Sequence, residues 1–504
     1  MLCTPATTAT RVPRAPARAL ALVRTGARRN FGVSAPRGHQ HLVILGSGWG
    51  GYELLRGIDK KRWHVTVVSP NNYFNFTPLL ASCCVGTLEF RAAIEPVRRY
   101  TPQVNAYQAW CDSIDFKNKI IQCMPATPPL PFDAPSSSAS PSTTNAVSPT
   151  VTDAATKASR ERVGARNPGT APFSLRYDRL VVAVGAYNQT FDVPGVKENA
   201  YFLKDIRDAR AIRARILECF EQANQPTITD DDRRKLLHFC IVGGGPTGVE
   251  FAAELHDLLH AEVRKHFPGL HRFARISLYD VAPRILGSFD EGLQQYATKK
   301  FDREGIRLLT QHHVERVEPG KMHVKEQGEV CFGLLVWSTG LAPNPLIESI
   351  SEVEKDPKTK SLITDEHLNV IMKDTGKPDP DVWAVGDAAM INGTPLPATA
   401  QVANQKAKYL WRKLNRIGRD RPAPPGGEKP FHFHNAGSLA YVGGWQAVYD
   451  RTHAEKAKGK EAGRFAWLLW RSAYFTMTLS LRNKILVPTY WFMNWIFGRD
   501  MSRF

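Results

Sequence analysis

Six glycines stand where this chain could hold a nucleotide. Gly46, Gly48 and Gly51 close the run HLVILGSGWGG (41–51), and Gly243, Gly245 and Gly248 lie in LHFCIVGGGPTGVE (237–250). Each triplet follows a short apolar run and opens a helical pattern. In that setting glycine lets the backbone pass close to a pyrophosphate, and the next helix turns its positive N-terminus to the phosphates. One such triplet is common turn punctuation. Two, each set between a strand pattern and a helix pattern, predict two dinucleotides, one resident and one that exchanges. The residue ending the following strand then meets the adenosine ribose. In the first unit this is Ser69, not the usual carboxylate. In the second it is Asp280, at the end of ARISLYD (274–280). A carboxylate there accepts both ribose hydroxyls and repels a 2′-phosphate, which predicts a preference for NADH over NADPH.

The elements that would position these residues are those of an α/β protein with two Rossmann-like dinucleotide-binding domains. The first occupies 37–204 and resumes at 363–430, where PDVWAVGDAA (380–389) reads as a strand returning to it. The second, 205–362, is inserted between. Residues 125–172, rich in Pro, Ser, Thr and Ala, read as a disordered loop insertion, because they cannot bury enough apolar area to order themselves. Residues 431–504 carry no nucleotide signal but many aromatics.

Composition narrows the classes. The 504 residues are 43% hydrophobic and 23% charged, with net charge +18. Residues 1–36 read as a mitochondrial transit peptide: the first 31 hold six arginines and no Asp, Glu or Lys. The remaining positive charge suits an anionic membrane surface. Eight cysteines without C-x-x-C or metal spacing indicate neither a disulfide framework nor a metal site, and adjacent Cys83 and Cys84 are no ordinary redox pair. No uncharged apolar run reaches the ~18–20 residues that span a bilayer, so a peripheral protein is expected.

VVSPNNYFNFTPLLASCCVGT (67–87), GGGPTGVEFAAEL (243–255) and PATAQVANQKAKYL (397–410) together resemble the type II NADH dehydrogenases, the alternative NADH:quinone oxidoreductases of mitochondria and bacteria. These belong to the two-dinucleotide-binding-domain flavoproteins. The resemblance implies FAD on the first unit and NADH on the second, with electrons passing to ubiquinone without proton pumping. It implies that Thr77 and Pro78 lie in the loop against the flavin and that Asp387 holds its ribityl chain. Thr399 would cap a helix aimed at the flavin pyrimidine. It gives Glu250, placed in the first turn of its helix, a catalytic position near nicotinamide and flavin; a plain helix-dipole carboxylate is the alternative. It assigns quinone binding to Gln401 and Gln405, four apart on one helix face.

Trp467, Trp470, Tyr474, Met477 and Leu481 recur at spacings of 3, 4, 3 and 4, one stripe of a helix. The stripe, flanked by Arg464, Arg471 and Arg482, is expected to lie on lipid, with a second patch (485–497) broken by Pro488. Packing on the core or against a second copy in a homodimer is the alternative. The expected location is the inner mitochondrial membrane, on the matrix side because no apolar helix separates the transit peptide from His41. Two other readings stay open: a binding flavoprotein of the apoptosis-inducing type, and a sulfide:quinone oxidoreductase. AQVANQ and the aromatic C-terminus argue against a nucleic-acid partner, and adjacent cysteines suit sulfur attack poorly.

Overall fold

The computed structural model describes residues 39–100, 102–127, 171–419, 427–455 and 458–502. The transit peptide and nearly all of the 125–172 insertion lie outside the described residues.

The first glycine turn leaves strand His41–Leu45, which is buried along almost its whole length. This strand pairs in parallel with His64–Ser69 on one side and Arg179–Val182 on the other. Burial on both faces is what a parallel sheet requires, and it explains the unbroken apolar run. Strand Pro378–Ala384 extends the same sheet, pairing in parallel with Arg179–Val182. The chain thus returns to this sheet after building a second one. That second sheet is five-stranded and parallel, in the order Tyr201–Phe202, Leu334–Trp337, His238–Val242, Arg275–Asp280, Arg307–Thr310.

Helix Trp49–Gly57, which follows the first turn, packs on helix Ala400–Ile417. A side chain at Gly57 would meet the Trp411 ring at 2.4 Å, so the indole lies directly on the backbone of the first helix. Trp63 Nε1 donates to Leu414 O at 3.3 Å and fastens the far end.

The C-terminal part is an antiparallel sheet, Ser438–Gly443, Gln446–Asp450 and Lys460–Gly463, followed by helices Arg464–Met477 and Leu481–Phe497. Two expectations are corrected here. The stripe does not run through one helix: the chain turns at Thr478, and Ser480 caps the second helix by accepting from Asn483 N at 3.1 Å. Pro488 does not break the second patch but sits inside the second helix.

Candidate active site and its aromatic cover

The two glycine turns divide their labour identically. Gly46 has φ +103°, and a Cβ there would fall 2.3 Å from Ala183 O. Gly243 has φ +117°, and its Cβ would fall 2.7 Å from Ser338 O. Gly51 and Gly248 each bring the helix to 2.0 Å, measured from a Cβ, of the carbonyl of Gly46 or Gly243. Gly48 and Gly245, the two N-caps, face open space: a Cβ on either meets nothing within 4 Å. A pyrophosphate fits that arrangement, since the bare N-caps leave their helices' first amides uncovered.

Ser69 does not stand free. Its hydroxyl lies 2.8 Å from Ser47 Oγ, tying the strand end to the glycine turn. Asp280 does the same in the second unit, accepting from Gly244 N and from Ala282 N. Thr77 begins a short 3-10 turn with Pro78 and accepts from Trp49 Nε1 at 3.0 Å.

Asp387 lies in the turn Gly386–Ala388, against the start of helix Ala400–Ile417, which Thr399 caps through Val402 N. Two lysines that sequence reasoning missed accompany it. Lys406 is buried and donates to Ala389 O at 3.2 Å; burial pushes its ammonium down to about 8. Lys204 Nζ is enclosed with no hydrogen-bond partner among the described residues, and burial lowers it too, against the pull of Asp387 and Asp208. A buried ammonium without an acceptor is costly. An acceptor-rich cofactor resting here would supply one, so the residues fit FAD. Nothing in the sequence distinguishes Lys204 from a surface lysine; Lys406 could have been suspected from its place directly after Gln405.

Glu250 begins the second turn of helix Pro246–Leu258, not the first, so it is no dipole-compensating terminal carboxylate. It is buried, and its Oε1 accepts from Tyr441 N and Trp470 Nε1, both at 3.0 Å. Both donors belong to the C-terminal module. Burial pushes the carboxyl up to about 7, against the pull of those two bonds and with help from Glu254 one turn on. Glu254 accepts from Ser82 Oγ and Thr87 Oγ1 at 2.6 and 2.8 Å, with Arg499 at 3.6 Å.

This geometry carries a prediction. Glu250→Gln keeps an Oε1 acceptor for both donors and removes only the titration. The folded pKa is raised above the ~4.3 of an unfolded glutamate. The contribution of the neutral acid is therefore full below pH ~4.3 and is lost as pH rises through 7. Urea unfolding should show the variant gaining on the wild type by roughly 2–3 kcal/mol between pH 4.5 and 8. A constant difference across that window would mean that the carboxyl is ionised throughout.

The expected lipid stripe is corrected. Trp470 is 4% exposed, and Trp467, Tyr474 and Met477 pack on the protein core. The cause is polar as much as apolar: the buried Trp470 indole serves Glu250. Rings run from Tyr441 to Trp470 (5.5 Å), Tyr474 (4.7 Å) and Phe76 (6.3 Å), which directly precedes Thr77. Arg471 is not at a lipid surface either. Its guanidinium lies 4.3 Å from both the Trp467 and Trp491 rings. Burial lowers it to about 10, and its Nε has no partner among the described residues.

Between helix Pro246–Leu258 and the C-terminal helices lies a cavity of about 830 Å³. Glu254, Tyr441, Trp470, Arg471 and Trp491 line it, and its wall includes exposed Phe492 and Trp495. Gln401 and Gln405 do not line it. Their amides are already paired: Gln401 with Ala436 N and Gly437 O, Gln405 with His434 N and O.

A family model described as pyridine nucleotide-disulphide oxidoreductase matches residues 40–407, and one described as NDH2 C-terminal domain matches 435–500. This chain belongs to the type II NADH dehydrogenases. It is 36% identical to an internal alternative NAD(P)H-ubiquinone oxidoreductase of Solanum tuberosum, over 94% of this chain and 90% of that one. It is 34% identical to the external NADH-ubiquinone oxidoreductase 2 of Saccharomyces cerevisiae, over 92% and 82%. Its fold matches NDH2 from Plasmodium falciparum, solved in complex with NADH, with TM-score 0.77 and 26% identity over 92% and 99%. Among the described residues every cysteine is free, so none forms the disulfide that the broader family's description names. Cys83 and Cys84 are free and fully buried, and burial pushes both thiols up, away from the reactive thiolate.

Proposed function

We propose how this type II NADH dehydrogenase divides the reaction of its family, NADH oxidation through FAD with reduction of a quinone, among its own residues. FAD supplies the hydride acceptor and the relay of electrons. The turn at Gly46–Gly51 and the Asp387–Lys204–Lys406 cluster hold it. The turn at Gly243–Gly248 holds NADH, with Asp280 at the adenosine ribose. Steady-state kinetics test this last role: NADH should exceed NADPH in kcat/KM by at least tenfold, and Asp280→Ala should narrow the gap. Equal efficiencies in the wild type would exclude it.

The cavity is the quinone site, and the observation that carries this is its lining. Among the described residues, the aromatic chamber has one unpaired buried donor, Arg471 Nε, and three carboxyls in its lining, Glu254, Asp257 and Glu262, of which burial raises Glu254. A flat apolar ring with carbonyl acceptors, which takes up protons when reduced, needs that combination. Gln401 and Gln405 then act as positioning residues that fix residues 434–437, rather than as direct donors. Ala261, exposed on the cavity wall, offers the test. In Ala261→Trp the flavin should still bleach with NADH at the wild-type rate, while its reoxidation by quinone slows at least tenfold. Unchanged reoxidation would place the quinone elsewhere.

The protein works as a peripheral enzyme of the mitochondrial inner membrane, on the matrix side. No described helix is long and apolar enough to cross a membrane. The exposed C-terminal face supports lipid contact. A second copy covering that face would show instead as a dimer whose activity does not depend on lipid.

A further inference from the structure

Residues 427–437 follow helix Ala400–Ile417 without helix or strand of their own. The helix grips this strap once per turn: Gln401 at Ala436 and Gly437, Gln405 at His434, and Tyr409 at Lys429 O. In extended chain, alternate side chains share a side. His432 and His434 accordingly stand together, with ring centroids 4.9 Å apart. Glu455, in the turn after strand Gln446–Asp450, reaches both. Its Oε2 lies 2.7 Å from His434 Nδ1, and its Oε1 lies 3.7 Å from His432 Nδ1.

One ligand atom from each of the three lies within 4.8 Å of the others. Two imidazoles and a carboxylate are a zinc donor set that leaves the fourth tetrahedral position to water. Metal–ligand bonds of ~2.0–2.2 Å place neighbouring donors roughly 3.3–3.5 Å apart. Because all three side chains are exposed, small rotations about their own bonds close that gap. The sequence shows only H-x-H; the third ligand is 21 residues further on and is brought in by the hairpin.

We propose that His432, His434 and Glu455 bind a zinc-class divalent cation, which clasps the strap to the turn 451–455. The clasp is structural in its reach. Gln405 fixes both backbone groups of His434, and its helix begins at Thr399 against the Asp387 turn. A bound ion therefore joins the C-terminal module to the helix that flanks the cofactor cluster, independently of where quinone binds. The competing assignment is a solvated His–Glu pair without a metal.

The test uses the FAD-loaded protein, stripped with a chelator and titrated with zinc chloride against a chromogenic competitor. The wild type should take up one equivalent. His434→Ala and Glu455→Gln should weaken uptake at least tenfold, while His271→Ala, an exposed histidine on another turn, leaves it unchanged. Zinc should also raise the thermal midpoint by a few degrees in the wild type and not in the two variants. Flavin content equal to the wild type certifies their folding; His432→Gln replaces His434→Ala if that variant loses flavin. No uptake by the wild type, or equal uptake by variants that keep their flavin, overturns the site.

Discussion

Gly51→Ala is expected to purify colourless, whereas Gly248→Ala is expected to keep its flavin and lose the bleaching that NADH produces. The two substitutions are the same clash in two units. Each puts a Cβ 2.0 Å from a carbonyl oxygen, that of Gly46 or of Gly243. Neither carbonyl can withdraw. Gly46 is itself pressed against Ala183 O, and Gly243 against Ser338. The helix must move instead, carrying its N-terminus away from the phosphates. Overpacking of this kind costs about 1–3 kcal/mol before any ligand is considered. The lost phosphate contacts add to it, and each ~1.4 kcal/mol is tenfold in affinity. The readouts are the flavin absorbance per protein and its bleaching by NADH under nitrogen. The assignment of FAD to the first unit fails if Gly51→Ala keeps its colour while Gly248→Ala loses it.

These glycines were legible because backbone geometry leaves no other residue a choice. A turn with φ near +100° and a helix at van der Waals distance from a carbonyl admit only glycine. Asp280 was legible for a related reason, since it ends the apolar run that forms the buried strand Arg275–Asp280. The C-terminal stripe shows where legibility ends. Periodicity established that Trp467, Trp470, Tyr474 and Met477 share a side. It could not say what that side meets, because a lipid-facing and a core-facing stripe have the same spacing. The answer lay in Glu250, a buried carboxylate more than two hundred residues earlier that needs the Trp470 indole. Spacing likewise put Gln401 and Gln405 on one face, but it gave no sign of the strap, distant in sequence, that pairs with their amides. Lys204 carried no signal at all, since its meaning comes entirely from burial beside Asp387.

With the stripe corrected, the proposed lipid contact falls on the opposite, exposed faces of the two helices, and the largest functional effect is expected there. Phe465, Leu468 and Phe475 are exposed on the first helix. Leu481, Ile485, Phe492 and Ile496 form one exposed stripe on the second, with Leu481 at 72% and Ile485 at 59%. Phe492 and Trp495 belong both to this exposed surface and to the cavity wall, so the chamber borders the apolar face. A quinone dissolved in lipid would then reach the cavity without crossing water. Burying a large apolar side chain is worth roughly 1.5–3 kcal/mol. Replacing Leu468, Leu481, Ile485 and Ile496 together by glutamate removes that gain four times over and adds repulsion from anionic headgroups. None of the four is buried, so the core and the Glu250–Trp470 bond remain, which a truncation of the helices would not allow. The variant should stay in solution when mixed with cardiolipin-containing vesicles that sediment the wild type. Its turnover with long-chain ubiquinone in those vesicles should fall at least tenfold, while NADH oxidation with ferricyanide is unchanged. Equal loss with both acceptors would show that the face supports the fold. Unaltered sedimentation with vesicles would show that the protein reaches the membrane by another surface.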